Sequence, residues 1–385
     1  MAVLLAPELR DPERSDDLAP AGPAWQVSSP AGPGRDVFAD FSERLRRVVP
    51  FDAAGWFALD PATLLPTSPT LIENIETGQC YDYWERECLV EDVLLYTDLA
   101  RGSQPASTLH AATDGRPARS ARFREQLEPM GIKDELRAAF RLGNQTWGVV
   151  DLLRDRSQEP FSARDVQRVA ALAPSIASAI AGLATAAAST AASVDPTTIG
   201  TGPGTALFDA RGELSSIDSQ AERWFEALGG VDWFSTGALH GMTAALVARA
   251  EMVARGRHPG PASTRLRTPD GRWLMLHASR LRRLDGTPGM TSLIIEPATS
   301  MEVAHLIVEA YALTPREQEV TQAVARGLSN VEIGAQLFLS PHTVRDHLKA
   351  VFAKTDVSSR GELVAKLFAE HYGPAHEVQA QHNFW

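Results

Sequence analysis

Apolar residues recur along this chain at two periods, and the changes between them mark its elements. Val37, Phe38, Phe41, Leu45 and Val48 share one helical face that stops before Pro50, which predicts an opening amphipathic helix. Gly55 to Leu59 is a continuous apolar run closed by Asp60-Pro61, the pattern of a buried strand ending in a turn. Glu135 to Arg141 and Thr146 to Leu153 read as two strands around Gly143-Asn144, a hairpin signal. Ser162 then caps a long helix rich in Ala and Leu, with the acidic Asp165 in its first turn. Strands bracketed by helices over residues 36–183 predict a mixed α+β domain.

Composition shifts at residues 184–204 (ATAAASTAASVDPTTIGTGPG), which read as a flexible linker. The GTGPG string follows no predicted strand and opens no predicted helix, so it does not read as a phosphate loop. Residues 205–298 predict a second unit. It has a hairpin from Thr205 to Ile217, helices at Ser219 to Leu228 and Met242 to Ala254, and a closing ribbon of Trp273 to Leu281 and Met290 to Glu296. By element order alone this unit resembles a PAS domain. Residues 1–35 hold six prolines, three glycines and no apolar period, and read as a disordered tail; residues 373–385 read as a second tail.

After a linker helix at 299–311, residues 312–372 are the most informative part of the chain. Three capping boxes announce helix starts: Thr314 with Glu317, Ser329 with Glu332, and Ser359 with Glu362. Pro315 and Pro341 each follow a cap, where the missing N–H costs nothing. Four short helices are predicted: Thr314 to Arg326, Ser329 to Leu337, Ser340 to Lys354, and Ser359 to Phe368. Only Phe338-Leu339-Ser340 separates the second from the third, and so short a link makes two helices cross steeply, as in a helix-turn-helix. Along the third, Val344, Leu348, Val351, Phe352 and Thr355 form an apolar face. His342, Arg345, Asp346 and Lys349 share the opposite face, where Arg and Lys can donate to guanine and Asp can accept from cytosine.

The strings LTPREQEV, GLSNVEIGAQL and LSPHTVRDHLKAVFAKTDVSSRGEL resemble the DNA-binding domain of LuxR-type transcription regulators, over Leu313 to about Leu367. The resemblance implies double-stranded promoter DNA as partner. It places Thr343, Val344, Arg345 and His347 in the reading-helix signature and Lys354 and Arg360 at positive positions; Ser340, His342, Asp346 and Lys349 of the same helix are candidate DNA contacts beside them. Two residues depart from the family pattern: Gly334 stands where Ala is usual, and Thr355 where Leu is usual. Glycine there costs about 1 kcal/mol of helix propensity. The front of the chain, through PFDAAGWFALDPATLLPT and CYDYWERECLVEDVLLY, resembles GAF-like sensor domains that precede LuxR-type domains. The fold class expected is therefore multidomain α+β: a GAF-like sensor, a PAS-like domain and a C-terminal all-α helix-turn-helix.

That resemblance implies an unknown small-molecule effector, with Trp56, Tyr81, Tyr83, Trp84 and Trp147 as aromatics able to line its cavity or simply to fill the core. Asp92 stands where acyl-homoserine lactone receptors would place an acid, although the length and the second unit fit those receptors poorly. Asp60 and Asp151 follow strand-like runs, but no acidic pair precedes either at the distance a phospho-receiver requires.

Charge at first argues against nucleic acid, since 37 Lys and Arg face 48 Asp and Glu, a net of −11. Its distribution reverses this. Residues 310–372 carry seven basic and seven acidic side chains, and residues 340–366 five basic and three acidic, a local net of +2. One copy would neutralise few phosphates, so a homodimer on a two-fold site is expected, with RNA polymerase as a further partner. Leu363, Val364, Leu367 and Phe368 are either a dimer surface or the closing wall of the domain core. Neither GxxxxGK[ST], GxSxG, HExxH nor CxxC occurs, so no enzyme, metal or cofactor is expected. Cys80 and Cys88 suit a reducing cytoplasm. The opening MAVLLAPELRDPE lacks a basic stretch and a long apolar run, and Pro174 breaks the weakly polar stretch from Ala170 to Ala192, so neither a signal peptide nor a membrane span is expected. The alternative function is a ligand-binding sensor whose C-terminal bundle docks a protein rather than DNA; a hydrolase or transferase built on the front domains is a third.

Overall fold

A computed structural model describes residues 35–75, 80–90, 92–186, 202–229, 237–269, 271–299, 302–303, 306, 309–311 and 313–364. The two expected tails thus lie outside the described residues, apart from Arg35, and so does most of the expected linker.

The first unit opens with α1 (Arg35–Arg46), then β1 (Ala53–Leu59), β2 (Pro66–Glu73), α2 (Cys80–Leu89), α3 (Tyr96–Arg101), β3 (Ala106–Thr108) and the single-turn α4 (Leu109–Ala112). It closes with β4 (Ile132–Leu142), β5 (Gln145–Asp155) and α5 (Ala163–Ala186). The five strands form one antiparallel sheet in the order β2-β1-β5-β4-β3. Each face of this sheet is covered. On one, Trp56, Phe140, Trp147 and Val150 pack against Phe38 of α1 and Val169, Ile176 and Ile180 of α5. On the other, Phe57, Ala139 and Val149 meet Trp84 of α2 and Tyr96 and Leu99 of α3. A strand buried on both faces has no polar alternation, which is why β1 reads as a continuous apolar run.

The second unit contains β6 (Gly204–Phe208), β7 (Leu214–Ile217), α6 (Ser219–Gly229), α7 (Gly237–Ala254), β8 (Ser263–Arg267), β9 (Trp273–Arg282) and β10 (Pro288–Pro297). Its sheet order, β7-β6-β10-β9-β8, repeats that of the first unit. Gly204, the last residue of the GTGPG string, lies in β6, where a Cβ would stand 2.2 Å from the Ala221 backbone nitrogen; the glycine lets α6 lie on the strand.

The two units share a core. Residues 241–250 of α7 are all buried, because the helix lies between its own sheet and α2. One apolar cluster runs from Phe57, Trp84 and Tyr96 through Met242 and Leu246 to Leu276 and Ile295. Polar bonds tie the seam: Arg249 donates to the Thr63 carbonyl at 3.2 Å, Thr264 to that of Pro66 at 3.1 Å, and Arg257 to that of Leu89 at 3.0 Å. The separate 36–183 and 205–298 units read from the chain are therefore docked over apolar surface. Strands β2 and β8 escaped notice because Pro66, Pro69, Ser263, Arg265 and Arg267 break any alternating pattern.

The C-terminal unit holds α8 (Pro315–Ala325), α9 (Asn330–Leu337) and α10 (Pro341–Thr355), and residues 360–364 are helical. Val320, Val324, Ile333, Val344, Leu348, Val351 and Leu363 form its core, with Phe352 half-buried at the edge. The boxes of Thr314 and Ser329 close in both directions. The third closes differently: Ser359 Oγ accepts from the Glu362 N–H at 3.1 Å, but the Glu362 carboxylate takes the N–H of Ser358 instead, at 2.7 Å. Leu363 is buried and Val364 packs on the same cluster, which places both in the domain core; Leu367 and Phe368 lie outside the described residues.

Candidate nucleic-acid interface and sensor site

Helix α10 is placed by the turn before it. Phe338 takes the left-handed conformation, φ 55° and ψ 44°, and ends α9. The Leu339 N–H then returns to the Gly334 carbonyl at 2.8 Å. A Cβ on Gly334 would stand 2.6 Å from the Leu339 carbonyl oxygen. The glycine that weakens helix propensity is thus what lets this turn fold back closely over α9. Ser340 Oγ accepts the Thr343 N–H at 3.0 Å and starts α10, with Pro341 at its first position.

Val344, Leu348, Val351 and Thr355 point inward. His342, Arg345, Asp346 and Lys349 are exposed together along the opposite face, flanked by half-buried Thr343 and His347. His342 Nδ1 lies 3.1 Å from Asp346 Oδ2. Among the described residues no carboxylate pairs with Arg345 or Lys349, so both cations stand ready for an external acceptor. Val344, part of the sequence signature, is fully buried and serves the core.

Lys354 and Arg360 sit differently. Lys354 Nζ donates to Glu317 Oε2 at 2.7 Å, and that carboxylate also takes the Thr314 N–H at 2.7 Å. Burial acts to raise Glu317, but the Lys354 and Thr314 contacts outweigh it and hold the carboxyl below its ordinary range. Arg360 donates to the Leu328 carbonyl and, at 3.4 Å, to Asn330 Oδ1. Both cations fasten helices to one another as well as adding positive charge.

The aromatics expected to line one cavity divide between the two sheet faces. Trp56 and Trp147 belong to the core under α1 and α5, with Trp56 Nε1 donating to Glu73 at 3.3 Å. Tyr83 and Trp84 lie on the opposite face, so the four do not share a site. Tyr81 has no described side chain. Asp92 is a backbone anchor: its carboxylate accepts the N–H of Val93 at 2.7 Å, the N–H of Arg122 at 2.7 Å and the Ser120 hydroxyl at 3.0 Å.

Around Tyr83 stands a buried polar cluster that sequence reading missed. Arg137 donates to Glu87 at 2.7 Å, Glu135 at 3.0 Å, the Tyr83 hydroxyl at 3.0 Å and Asp151 at 3.4 Å, while its guanidinium lies 4.4 Å from the centre of the Tyr96 ring. Arg122 also donates twice to Glu135, at 3.2 and 2.5 Å, and the Tyr83 and Tyr96 hydroxyls are 2.7 Å apart. Two buried cations thus face three buried acids. Burial and the neighbouring Glu135 charge push Asp151 up to about 7, against the pull of Arg137. Burial also acts on Glu135, but Arg122 and Arg137 overcome it and lower that carboxyl to about 2. The strand reading contained a signal for this cluster, since Glu135, Arg137 and Asp151 are charged positions inside otherwise apolar strands. Cys88 is half-buried, and burial raises its thiol to about 11 against Arg249, far from a reactive thiolate.

Residues 311–367 match the family described as bacterial regulatory proteins, luxR family, and residues 35–180 match the GAF domain. The chain therefore joins a GAF domain to a LuxR-family helix-turn-helix domain. Similar proteins are named as transcription regulators. The regulatory protein YhcZ of Bacillus subtilis is 43% identical over 68 residues, 18% of this chain and 31% of that protein. The response regulator Rre1 of Synechocystis is 47% identical over 60 residues, 16% and 25% of the two chains. The chain spans still less, 6%, of the Mycobacterium tuberculosis HTH-type transcriptional regulator, with which it is 49% identical over 53 residues. Among solved structures, the Vibrio cholerae VqmA–ligand–DNA complex is 20% identical, covers 44% of this chain and 84% of its own, and has a TM-score of 0.23, too low to bear on the fold.

Proposed function

We propose that this chain is a DNA-binding transcription regulator that reads the major groove with α10 and takes its signal through the domains ahead of it. The observation that carries the proposal is the exposed face of His342, Arg345, Asp346 and Lys349 on the second helix of a tight helix-turn-helix. The local charge of only +2 favours a homodimer on a two-fold site, in which the number of neutralised phosphates doubles. The sensor reading rests on the GAF match. The middle unit is read as PAS-like from its element order. Promoter DNA as target would place the chain in the cytoplasm, with RNA polymerase as the downstream partner and no catalytic step in the chain itself.

The test is Arg345→Ala in a mobility-shift series on the promoter of the protein's own operon, at matched salt. Loss of one base contact costs about 1–3 kcal/mol and relaxes preference at one position. Wild-type affinity and preference in the variant would overturn the assignment of the reading face.

A further inference from the structure

Arg265 of β8 joins three parts of the molecule. Its guanidinium makes a paired contact with Asp60, at the end of β1, with Nε at 2.7 Å and the second nitrogen at 2.5 Å. Its backbone N–H donates to the same carboxylate at 3.1 Å. The remaining terminal nitrogen donates to the Glu302 carbonyl at 2.7 Å, at the start of the segment that leads into the C-terminal domain. That segment is opened by Thr299 and Glu302, whose side chains cap each other's backbone N–H groups at 2.7 and 3.4 Å.

The segment is seated on the sensor. Val303 and Leu306 are buried, and Leu306 and Ala310 join the apolar cluster of α1 and α5. The next residue, Tyr311, packs instead on the core of the C-terminal domain. Only one peptide bond thus separates the last sensor contact from the first contact of the reading domain. Glu309 faces the joint. One of its carboxylate oxygens lies 4.0 Å from the Arg265 guanidinium and is buried without a hydrogen-bond partner. The charged groups around it are Arg265 from the second unit and Asp60 from the first, so one cation faces two acids.

We propose that Arg265 and Glu309 form a proton-controlled latch that holds Glu302, Val303, Leu306, Glu309 and Ala310 on the sensor and releases them when Glu309 is charged. Burial, with the Asp60 charge adding to it, pushes Glu309 up to about 7 against the opposing pull of Arg265. A carboxyl raised in the docked state and ordinary in the released state favours docking at low pH. That advantage falls as pH rises towards about 7 and is gone above it. Given the reading of α10 as the DNA-contacting helix, the latch sets how firmly that helix is positioned by the sensor.

Hydrogen exchange of the full chain without DNA tests the latch independently of that reading. Protection of Glu302, Val303, Leu306, Glu309 and Ala310, corrected for intrinsic exchange, is expected to fall by up to about tenfold per pH unit between pH 5 and 7 and to level off by pH 8. Glu309→Gln and Glu309→Ala should each remove the pH dependence while β9 and β10 keep wild-type protection. Unchanging protection in the wild type, or the same fall in both variants, overturns the proposal. If promoter binding fails while the exchange behaves as expected, the reading of α10 is wrong and the latch stands.

Discussion

Asp60→Ala tests the seam between the two front units most directly. Asp60 is 2% exposed and accepts four bonds, three from Arg265 and one from the Ala62 N–H at 3.0 Å. Truncating it leaves the Arg265 guanidinium buried with its main anion gone. Breaking a buried pair in this way costs about 3–5 kcal/mol. For a body of this size, where each kcal/mol moves the midpoint by a few degrees, that corresponds to a Tm lower by roughly 6–20 °C. Asp60→Asn keeps the shape and part of the hydrogen bonding, so it should lose less. Asp60→Ala combined with Arg265→Met removes both charges and should be more stable than the two separate losses added together imply. Thermal and denaturant unfolding of wild type, Asp60→Ala, Arg265→Met and the double variant measures this cycle. A loss under about 1 kcal/mol in Asp60→Ala, or strict additivity, would show that the pair does not hold the seam.

Two further substitutions check other parts of the structure. Asp151, raised to about 7, favours the folded sensor most while protonated, and this contribution fades as pH rises from about 4 to 7. Asp151→Asn should therefore be more stable than wild type at pH 8, with a smaller advantage at pH 5; equal pH profiles in denaturant melts would refute it. Gly334→Ala gains about 1 kcal/mol of helix propensity but forces open the turn at Leu339, an overpacking cost of about 1–3 kcal/mol. Net loss of stability in the C-terminal domain is expected, and a more stable variant would show that the turn yields freely.

Much of the C-terminal domain was legible in the sequence because its information is local. Caps at Thr314, Ser329 and Ser340, prolines at first helical positions and a 3.6-residue apolar period act within a few residues of one another. The same reasoning found β1, β4, β5 and α5. It missed β2 and β8, whose strand character comes from pairing partners rather than from their own residues.

Site residues followed the same division. The face of Arg345 and Lys349 is set by helical spacing, so the sequence alone determined it. The roles of Lys354, Arg360 and Asp92 depend on partners 28 to 37 residues away, which spacing does not encode. Which side of a sheet an aromatic occupies is likewise a matter of register, and it separated Trp56 and Trp147 from Tyr83 and Trp84. Local propensity and period specified the elements and the exposed face of α10. Long-range packing decided the shared core of the two front units and brought Asp60, Arg265 and Glu309 together, because contacts such as that between Asp60 and Arg265, 205 positions apart, form only when the whole chain is folded.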